Sequence, residues 1–266
     1  MTTPMRKATM KMLHALAGSR HNQRKSPLFV VEGLRCCREA VDKRPQWLCG
    51  ALFSDQPADP AETARLAQRV AKCGVQAEYC GAGEFAQCAL TEAPQGVMLF
   101  MRKPEAAAPR QLDPLCTLIL DRVQEPGNLG TILRTAWAFG VRQVWTTAGC
   151  AEVWSPKVIR AGMGAQFAVG VHGFATLSDA LAAFRALGGR RAWCAVMDAP
   201  TSCLSPDFDP CGNAIVLGNE GNGIASPELG EGVAIPMPGH AESLNVAQAA
   251  TILMYEALRR SRAPRN

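Results

Sequence analysis

The sequence lacks a long apolar run, a Cys-x-x-Cys pair and an apolar signal segment. No uninterrupted apolar run approaches the roughly 18 residues that a membrane-spanning helix needs. Eleven cysteines are present, but their number is odd, and several, such as Cys116 and Cys194, lie within apolar runs, where Cys acts as a small core residue. These absences favour the reducing cytoplasm, while the basic first turns leave a mitochondrial presequence open. No metal site is predicted.

Acidic residues are missing from residues 1–31, although the net charge of the whole chain is only +5. The basic residues of this segment are Arg6, Lys7, Lys11, Arg20, Arg24 and Lys25, accompanied by His14 and His21. Contact with a polyanion uses such a run, because each cation can release counterions from a phosphate backbone. A solvated chain terminus would show the same pattern.

The composition predicts two domains joined by a linker. Residues 103–114 contain three prolines and three consecutive alanines, which is typical of a linker. We therefore predict a domain over 1–102, a linker over 103–114 and a second domain over 115–266. In the first domain we predict strands over 28–31, 48–54, 75–79 and 96–101, with helices over 33–42 and 60–72, the latter capped by Asp59.

The second domain alternates strands and helices with stronger signals. Residues 115–121 (LCTLILD) form a nearly unbroken apolar run, as expected for a strand buried on both faces. Further strands are predicted over 143–147, 191–197, 214–217 and 233–236, and helices over 128–139, 176–187 and 243–260. This alternation predicts a mostly parallel sheet that is covered on both sides.

A glycine-rich stretch, 216–224 (VLGNEGNGI), follows one of these strands. It does not match a P-loop, because no lysine follows the last glycine, and its Gly-x-x-Gly-x-Gly spacing reverses the dinucleotide fingerprint. The central Glu220 would also repel a phosphate. The stretch is therefore either a structural turn or the wall of a site for something other than a phosphate.

Two other segments combine a turn with the start of a helix and polar side chains. In 125–140, Asn128 is predicted to cap the following helix, and Arg134 comes four residues after Gly130. In 235–256, Ser243 or Asn245 would lie at the start of a helix. One such residue alone is more often a cap than part of a site. Three such turns at the ends of strands in one sheet predict a ligand crevice.

Together these segments resemble the three ordered motifs of the SpoU (TrmH-like) RNA ribose methyltransferases. The matching residues are Asn128-x-Gly130-x-x-x-Arg134-Thr135-Ala136, Leu217-Gly218-Asn219-Glu220-Gly221-x-Gly223, and Ile235-Pro236-Met237 followed by Ser243-Leu244-Asn245. Residues 28–42 resemble the substrate-binding domain that precedes the catalytic domain in many members. Two positions depart from the family, since many relatives have serine in place of Gly162 and a charged residue in place of Asn222.

The resemblance implies an α/β fold with a trefoil-knotted parallel-sheet (SPOUT) methyltransferase domain, preceded by a small α/β ribosomal-protein-like RNA-binding domain. It also implies a homodimer formed through the knot region and S-adenosylmethionine as cofactor. The residues implied to hold the cofactor are Leu217, Gly218, Asn219, Gly221, Ile235, Met237 and Leu244. The expected reaction is methylation of a ribose 2′-hydroxyl, with ribosomal RNA favoured over transfer RNA. The residues are also compatible with a non-catalytic ribosome-assembly factor that retains the fold, or with a nucleotide-binding enzyme.

The resemblance also implies roles for five catalytic residues. Arg134 is interpreted as a clamp on the RNA phosphate beside the target ribose, because a guanidinium is a poor base. Asn128 and Ser243 are expected to orient Arg134 or the ribose, and Asn245 to hold the third motif. Glu220 either pairs with Arg134 or caps nearby backbone N–H groups. Arg20, Arg24 and Lys25, just before the first strand, are candidate RNA contacts.

Overall fold

The computed structural model describes Leu13, Leu16 and residues 20–239 and 242–262, with only the backbone of residues 20–22. The described residues form two compact units. Unit 1 contains the described residues up to Glu105 together with Glu152–Phe167. Unit 2 contains Ala106–Ala151 and the described residues from Ala168 onwards. No helix in this part of the chain is long and apolar enough to cross a membrane.

Unit 1 is built on a four-stranded sheet in the order β1-β4-β2-β3. Strand β4 runs antiparallel to β1 and β2, whereas β3 is parallel to β2. The strands are β1 (Leu28–Glu32), β2 (Leu48–Ser54), β3 (Ala77–Cys80) and β4 (Val97–Arg102), and the helices are α1 (Arg20–Lys25), α2 (Leu34–Lys43), α3 (Pro60–Lys72) and α4 (Ala82–Cys88).

The strongest local signals of unit 1 are confirmed at their predicted bounds. These are β2 and α3, and Asp59 caps α3 by accepting a hydrogen bond from the backbone N–H of Glu62 at 3.0 Å. The other predicted elements of unit 1 are present with bounds shifted by one or two residues. Helix α4 was not predicted, because its seven residues are too few to show a helical period.

Apolar residues cover both faces of the unit 1 sheet. On one face, Phe29 and Val31 pack in a cluster with α2 and α3 that also contains Ile159 and Phe167. On the other face, Val30 packs in a cluster with α4. Glu152–Phe167 thus contributes to the core of unit 1, whereas the sequence predictions placed it in the second domain. The predicted linker is also divided, because the two units separate between Glu105 and Ala106.

Unit 2 contains a seven-stranded sheet in the order β7-β6-β5-β10-β8-β11-β9, and every pairing in it is parallel. The strands are β5 (Thr117–Leu120), β6 (Gln143–Thr147), β7 (Gly170–Phe174), β8 (Ala192–Ala195), β9 (Thr201–Ser202), β10 (Ala214–Leu217) and β11 (Glu231–Ala234). The helices are α5 (Pro126–Phe139), α6 (Pro156–Ala161), α7 (Leu177–Ala186) and α8 (Val246–Arg262), of which α6 belongs to unit 1.

The predicted parallel sheet is confirmed, and all four residues of both β5 and β10 are buried. Helix α8 packs against α5 and β10, and α7 packs against β6 and β7. The prediction that Asn128 caps α5 is wrong. Helix α5 begins two residues earlier, at Pro126, and its N-cap Glu125 makes no capping side-chain hydrogen bond.

Candidate active site

The glycine-rich stretch after β10 closes into a small loop that satisfies its own backbone. Asn219 and Gly223 exchange two backbone hydrogen bonds, each of 2.9 Å. The side-chain oxygen of Asn219 accepts from the N–H groups of Gly221 and Asn222 at 3.0 Å each. A phosphate loop needs several N–H groups that point outward. The loop 219–223 uses these four N–H groups internally, so its geometry, like its spacing, is unsuited to a phosphate.

Gly218 allows the loop to approach its own end. A Cβ atom on Gly218 would lie 2.2 Å from the carbonyl carbon of Gly223 and 2.3 Å from the backbone nitrogen of Ile224. No side chain fits at that distance, and both neighbours are backbone atoms. By contrast, a Cβ on Gly221 would meet only the side-chain oxygen of Asn219, at 3.6 Å. Gly218 is therefore required for the shape of the loop itself.

Glu220 binds the start of helix α5 from outside that helix. Its carboxylate accepts hydrogen bonds from the backbone N–H groups of Gln124 and Glu125 at 3.3 Å each, and from Nδ2 of Asn128 at 2.9 Å. A carboxylate near a helix N-terminus is stabilised by the unpaired N–H groups and by the helix dipole. Glu220 thus caps backbone N–H groups across the fold, which is one of the two roles expected for it.

A short chain of side-chain hydrogen bonds joins the three motifs. Asn128 donates to Glu220, and its Oδ1 accepts from Nδ2 of Asn245 at 2.9 Å. Asn245 in turn caps α8, because its Oδ1 accepts from the N–H of Ala247 at 2.9 Å. The structure therefore brings Asn128, Glu220 and Asn245 together within unit 2.

These contacts set the protonation state of Glu220. Partial burial alone would raise its pKa, but the hydrogen bonds from Asn128 and from the backbone N–H groups of Glu220, Gln124 and Glu125 outweigh burial and lower the pKa below 4.5. A carboxylate held in this way is ionised at neutral pH and is a weak base. Glu220 is thus suited to positioning and poorly suited to removing a proton.

Arg134 and Ser243 are not part of this cluster. Both side chains are exposed, and neither has a hydrogen bond or an ion pair with any residue that the structure describes. The expected pairing of Glu220 with Arg134 is absent among these residues, since the carboxylate is occupied at the start of α5. Arg134 lies six residues beyond Asn128 on α5, and its exposed guanidinium is not engaged by any described residue.

Asp121 anchors the other end of the loop and was not identified from the sequence. Its side chain, 2% exposed, lies directly after β5. It accepts from Oγ1 of Thr147 at 2.9 Å, from the N–H of Ala225 at 2.8 Å and from Nε of Arg122 at 3.3 Å. The adjacent Arg122 adopts a left-handed backbone, and its carbonyl accepts from Nδ2 of Asn219 at 2.9 Å. A polar residue at the end of an apolar strand was the only signal in the sequence.

The predicted cofactor residues surround the carboxyl ends of neighbouring strands. Strands β10 and β11 both pair with β8, so Leu217 and Ile235 lie at the same edge of the sheet. Ile235, Met237 and Leu244 are half-buried apolar side chains, and Met197, just after β8, is 58% exposed. Partly exposed apolar side chains beside loop backbone suit an adenosine group. The side chains of Ile235, Met237 and Leu244 therefore fit S-adenosylmethionine.

The predicted RNA contacts before β1 are only partly described. The side chain of Arg20 lies outside the described residues. Lys25 is exposed, and Nε of Arg24 lies 3.9 Å from a carboxylate oxygen of Glu152. No group of three or more His, Cys, Asp or Glu side chains suited to a metal ion occurs among the residues that the structure describes.

Comparisons with known proteins identify the family to which this chain is similar. The family model described as the SpoU rRNA Methylase family matches residues 116–255, more than half of the chain. The 23S rRNA (guanosine(2553)-2′-O)-methyltransferase RlmP of Bacillus subtilis is 30% identical over 92% of each chain. The 23S rRNA (uridine(2479)-2′-O)-methyltransferase of Streptomyces viridochromogenes is 30% identical over 96% of this chain and 90% of its own.

A solved structure extends the likeness to the fold. The SpoU methyltransferase AviRb from Streptomyces viridochromogenes, in complex with the cofactor AdoMet, superposes with a TM-score of 0.83 and 27% identity. The alignment covers 98% of this chain and 100% of that chain, so it includes both units.

Proposed function

The chain belongs to the SpoU rRNA methylase family, and we propose that it transfers the methyl group of S-adenosylmethionine to a ribose 2′-hydroxyl of large-subunit ribosomal RNA. The observation that carries this proposal is the hydrogen-bonded series Asn245–Asn128–Glu220, which joins all three motifs. Ribosomal RNA is favoured over transfer RNA because both 23S relatives match this chain over at least nine-tenths of its length.

The chemistry needs positioned reactants and little else. The cofactor supplies a methyl group on a sulfonium; the ribose oxygen forms a bond to that carbon as the carbon–sulfur bond breaks and the neutral thioether leaves, and the hydroxyl proton passes to the neighbouring RNA phosphate or to water. The protein keeps the three motif loops in one arrangement through the side-chain hydrogen bonds of Asn128, Glu220 and Asn245. Arg134 holds the phosphate next to the target ribose, since its planar guanidinium can make two parallel hydrogen bonds to phosphate oxygens.

We also propose a homodimer in which Arg134 serves the site of the second copy. Support comes from the outward position of Arg134 and from exposed apolar residues on the packed helices α5 and α8. Tyr255 of α8 is 56% exposed and lies against Phe139 of α5 with ring centroids 5.9 Å apart, and Ile252 is 38% exposed. Light scattering during gel filtration measures the oligomeric state, and a monomeric mass would reject the dimer.

Further properties belong to the same proposal. We propose a trefoil knot at 217–245, because β10 lies between β5 and β8 while α8 returns to α5 and β10. We propose that unit 1 binds RNA, with Arg20, Arg24 and Lys25 among its contacts, and that the protein acts in the cytoplasm. The cofactor residues are proposed as Leu217, Gly218, Asn219, Gly221, Ile235, Met237 and Leu244, with Ser243 placed beside the ribose.

The test is the position of methyl groups on ribosomal RNA. Mass-spectrometric mapping of RNA from cells with and without the gene should reveal one 2′-O-methylated nucleotide that depends on the gene. The same mark should form on unmodified ribosomal RNA incubated with the purified protein and S-adenosylmethionine. Identical maps in both cell lines, with no transfer in vitro, would reject the proposed activity.

Arg134 provides a sharper test of the mechanism. Arg134→Ala should abolish methyl transfer while cofactor binding, measured by calorimetry, stays close to wild type. Arg134→Lys should rescue little, because a point charge cannot reproduce the paired hydrogen bonds. Arg190→Ala, which removes another exposed arginine of unit 2, is the matched control and should leave turnover unchanged. Retained turnover in Arg134→Ala would remove Arg134 from the mechanism.

A further inference from the structure

Most basic side chains on helices α2 and α3 of unit 1 are already paired with a carboxylate. Glu62 takes two arginines, Arg38 at 3.7 Å and Arg65 at 3.1 Å. Lys43 pairs with Glu39 at 3.9 Å, and Arg69 pairs with Asp42. Paired cations at a surface offer little net charge to an incoming polyanion.

Arg35, Lys157 and Arg160 differ from these residues. All three are exposed, and no carboxylate oxygen within the described part of the chain comes within 4.0 Å of their charged nitrogens. Nη1 of Arg160 donates to the carbonyl of Leu90 at 3.3 Å, which leaves most of the guanidinium N–H groups available. These three exposed cations, like Lys25, Lys72 and Arg102 at other positions of unit 1, have no carboxylate partner among the described residues.

These cations come from two distant parts of the sequence and meet at one place in unit 1. The thiol of Cys36 lies 3.9 Å from the carbonyl oxygen of Ile159, so Arg35 and Arg160 flank a direct contact between α2 and α6. Lys157 is three residues before Arg160 on α6, which places both on one side of that helix. Burial raises the pKa of Cys36 to about 11, and Arg35 and Arg160 both oppose this rise, as nearby positive charges do.

The surroundings strengthen the positive potential. Arg35 is the second residue of α2, so the positive end of the helix dipole adds to its charge. The nearby carboxylates are engaged elsewhere. Glu32 accepts from the N–H of Leu90 at 2.7 Å and from Oγ1 of Thr91 at 2.6 Å, and Glu39 pairs with Lys43.

We propose that Arg35, Lys157 and Arg160 form a surface of unit 1 that binds the phosphate backbone of the substrate RNA. This inference rests on the proposed function, because it assigns the partner of unit 1 to the substrate of the enzyme. Three exposed cations on the ends of two helices suit a row of phosphates better than a single enclosed anion. These three residues differ from the candidate contacts before β1, where Arg24 already faces Glu152.

The test compares two triple variants of the whole protein. Arg35→Gln, Lys157→Gln and Arg160→Gln together remove the three cations of the proposed surface. Arg38→Gln, Lys43→Gln and Arg65→Gln remove three cations from the same unit that are already paired, so the change in net charge is the same. Binding of unmodified large-subunit ribosomal RNA, transcribed in vitro, is measured by filter retention at several salt concentrations.

Loss of three phosphate contacts should make the slope of log K against log salt shallower by about two. When salt rises from about 50 to 200 mM, the fold-loss of affinity should therefore be roughly 16 times smaller for the first variant than for wild type. The control should keep the wild-type slope. An unchanged slope in the first variant, or an equal change in the control, would overturn the proposal. Unaltered binding of S-adenosylmethionine shows that the first variant is folded. If the wild-type protein neither binds nor methylates this RNA, the proposed function fails instead.

Discussion

Replacement of Asn128 by aspartate should make the candidate active site sensitive to pH. In the wild-type structure Nδ2 of Asn128 donates to Glu220 at 2.9 Å, and Oδ1 accepts from Asn245. Asn128→Asp keeps the shape and the bond from Asn245 but replaces the donor with a carboxylate oxygen. Two ionised carboxylates would then face each other at hydrogen-bond distance.

The cost can be estimated from Coulomb's law. Glu220 is exposed, so the water-like dielectric constant applies, and two unit charges about 3 Å apart repel by about 1.4 kcal/mol. Loss of the hydrogen bond adds about 1 kcal/mol. The helix dipole at the start of α5 stabilises the new carboxylate and lowers this cost by about 0.5 kcal/mol. Near pH 7 the variant should therefore be about 2 kcal/mol less stable than wild type.

Acidification changes the stability of wild type and of Asn128→Asp in opposite directions. In wild type the pKa of Glu220 is lowered below 4.5, so Glu220 contributes stability above pH 4.5 that is lost as the pH falls through its folded pKa. In Asn128→Asp the facing carboxylates share one proton, and the pair has a raised pKa. The variant is therefore most destabilised at neutral pH. The destabilisation decreases on acidification, because the shared proton restores a hydrogen bond.

The assay is thermal unfolding and S-adenosylmethionine affinity from about pH 5 to 8. Asn128→Ala is the control, because it loses both hydrogen bonds without adding a charge and should differ from wild type by an amount that is nearly constant over this range. The double change Asn128→Asp with Glu220→Gln should restore much of the loss, since the amide can donate to the new carboxylate. If the difference between Asn128→Asp and wild type is the same at every pH, the contact between Asn128 and Glu220 does not exist in solution.

Three other outcomes follow from the geometry. Gly218→Ala should lower the melting temperature and weaken cofactor binding in calorimetry, because its Cβ would overlap backbone, whereas Gly221→Ala should keep near-wild-type stability. Asp121→Ala should cost about 3 kcal/mol in denaturant unfolding, because three hydrogen bonds to a buried carboxylate are lost, and a change below about 0.5 kcal/mol would contradict its anchoring role. Cys49 and Cys73 are exposed and should account for the fast phase of a thiol-reagent titration at about pH 8; a fast phase that persists after both are changed to serine would contradict the burial of the other thiols.

Local signals predicted the elements of this fold well where they were complete. Helix α3 has a capping aspartate, a proline in its first turn and apolar residues at helical spacing, and its bounds were predicted correctly. The predicted cap of α5 was wrong. The carboxylate that binds the start of this helix is Glu220, which is distant in sequence and is brought there only by the fold. A sequence pattern contains no information about such a contact.

The motifs predicted which residues would come together, but not every role. Asn128, Glu220 and Asn245 do meet. The pairing of Glu220 with Arg134 could not be judged from spacing, because it depends on which N–H groups compete for the carboxylate. Asp121 was missed because one polar residue after an apolar run has many explanations, and two of its donors, Thr147 and Ala225, are distant in sequence.

The position of Glu152–Phe167 has a consequence for the order in which the protein folds during synthesis. Ile159 and Phe167 belong to the same core cluster as Phe29 and Val31. A ribosome makes the sheet of unit 1 first, but the residues that complete this core follow only after β5, α5 and β6. The core of unit 1 therefore cannot be completed, and part of its apolar surface stays exposed, until a good part of unit 2 has been translated. Chaperones that bind nascent chains should meet this protein before Phe167 emerges.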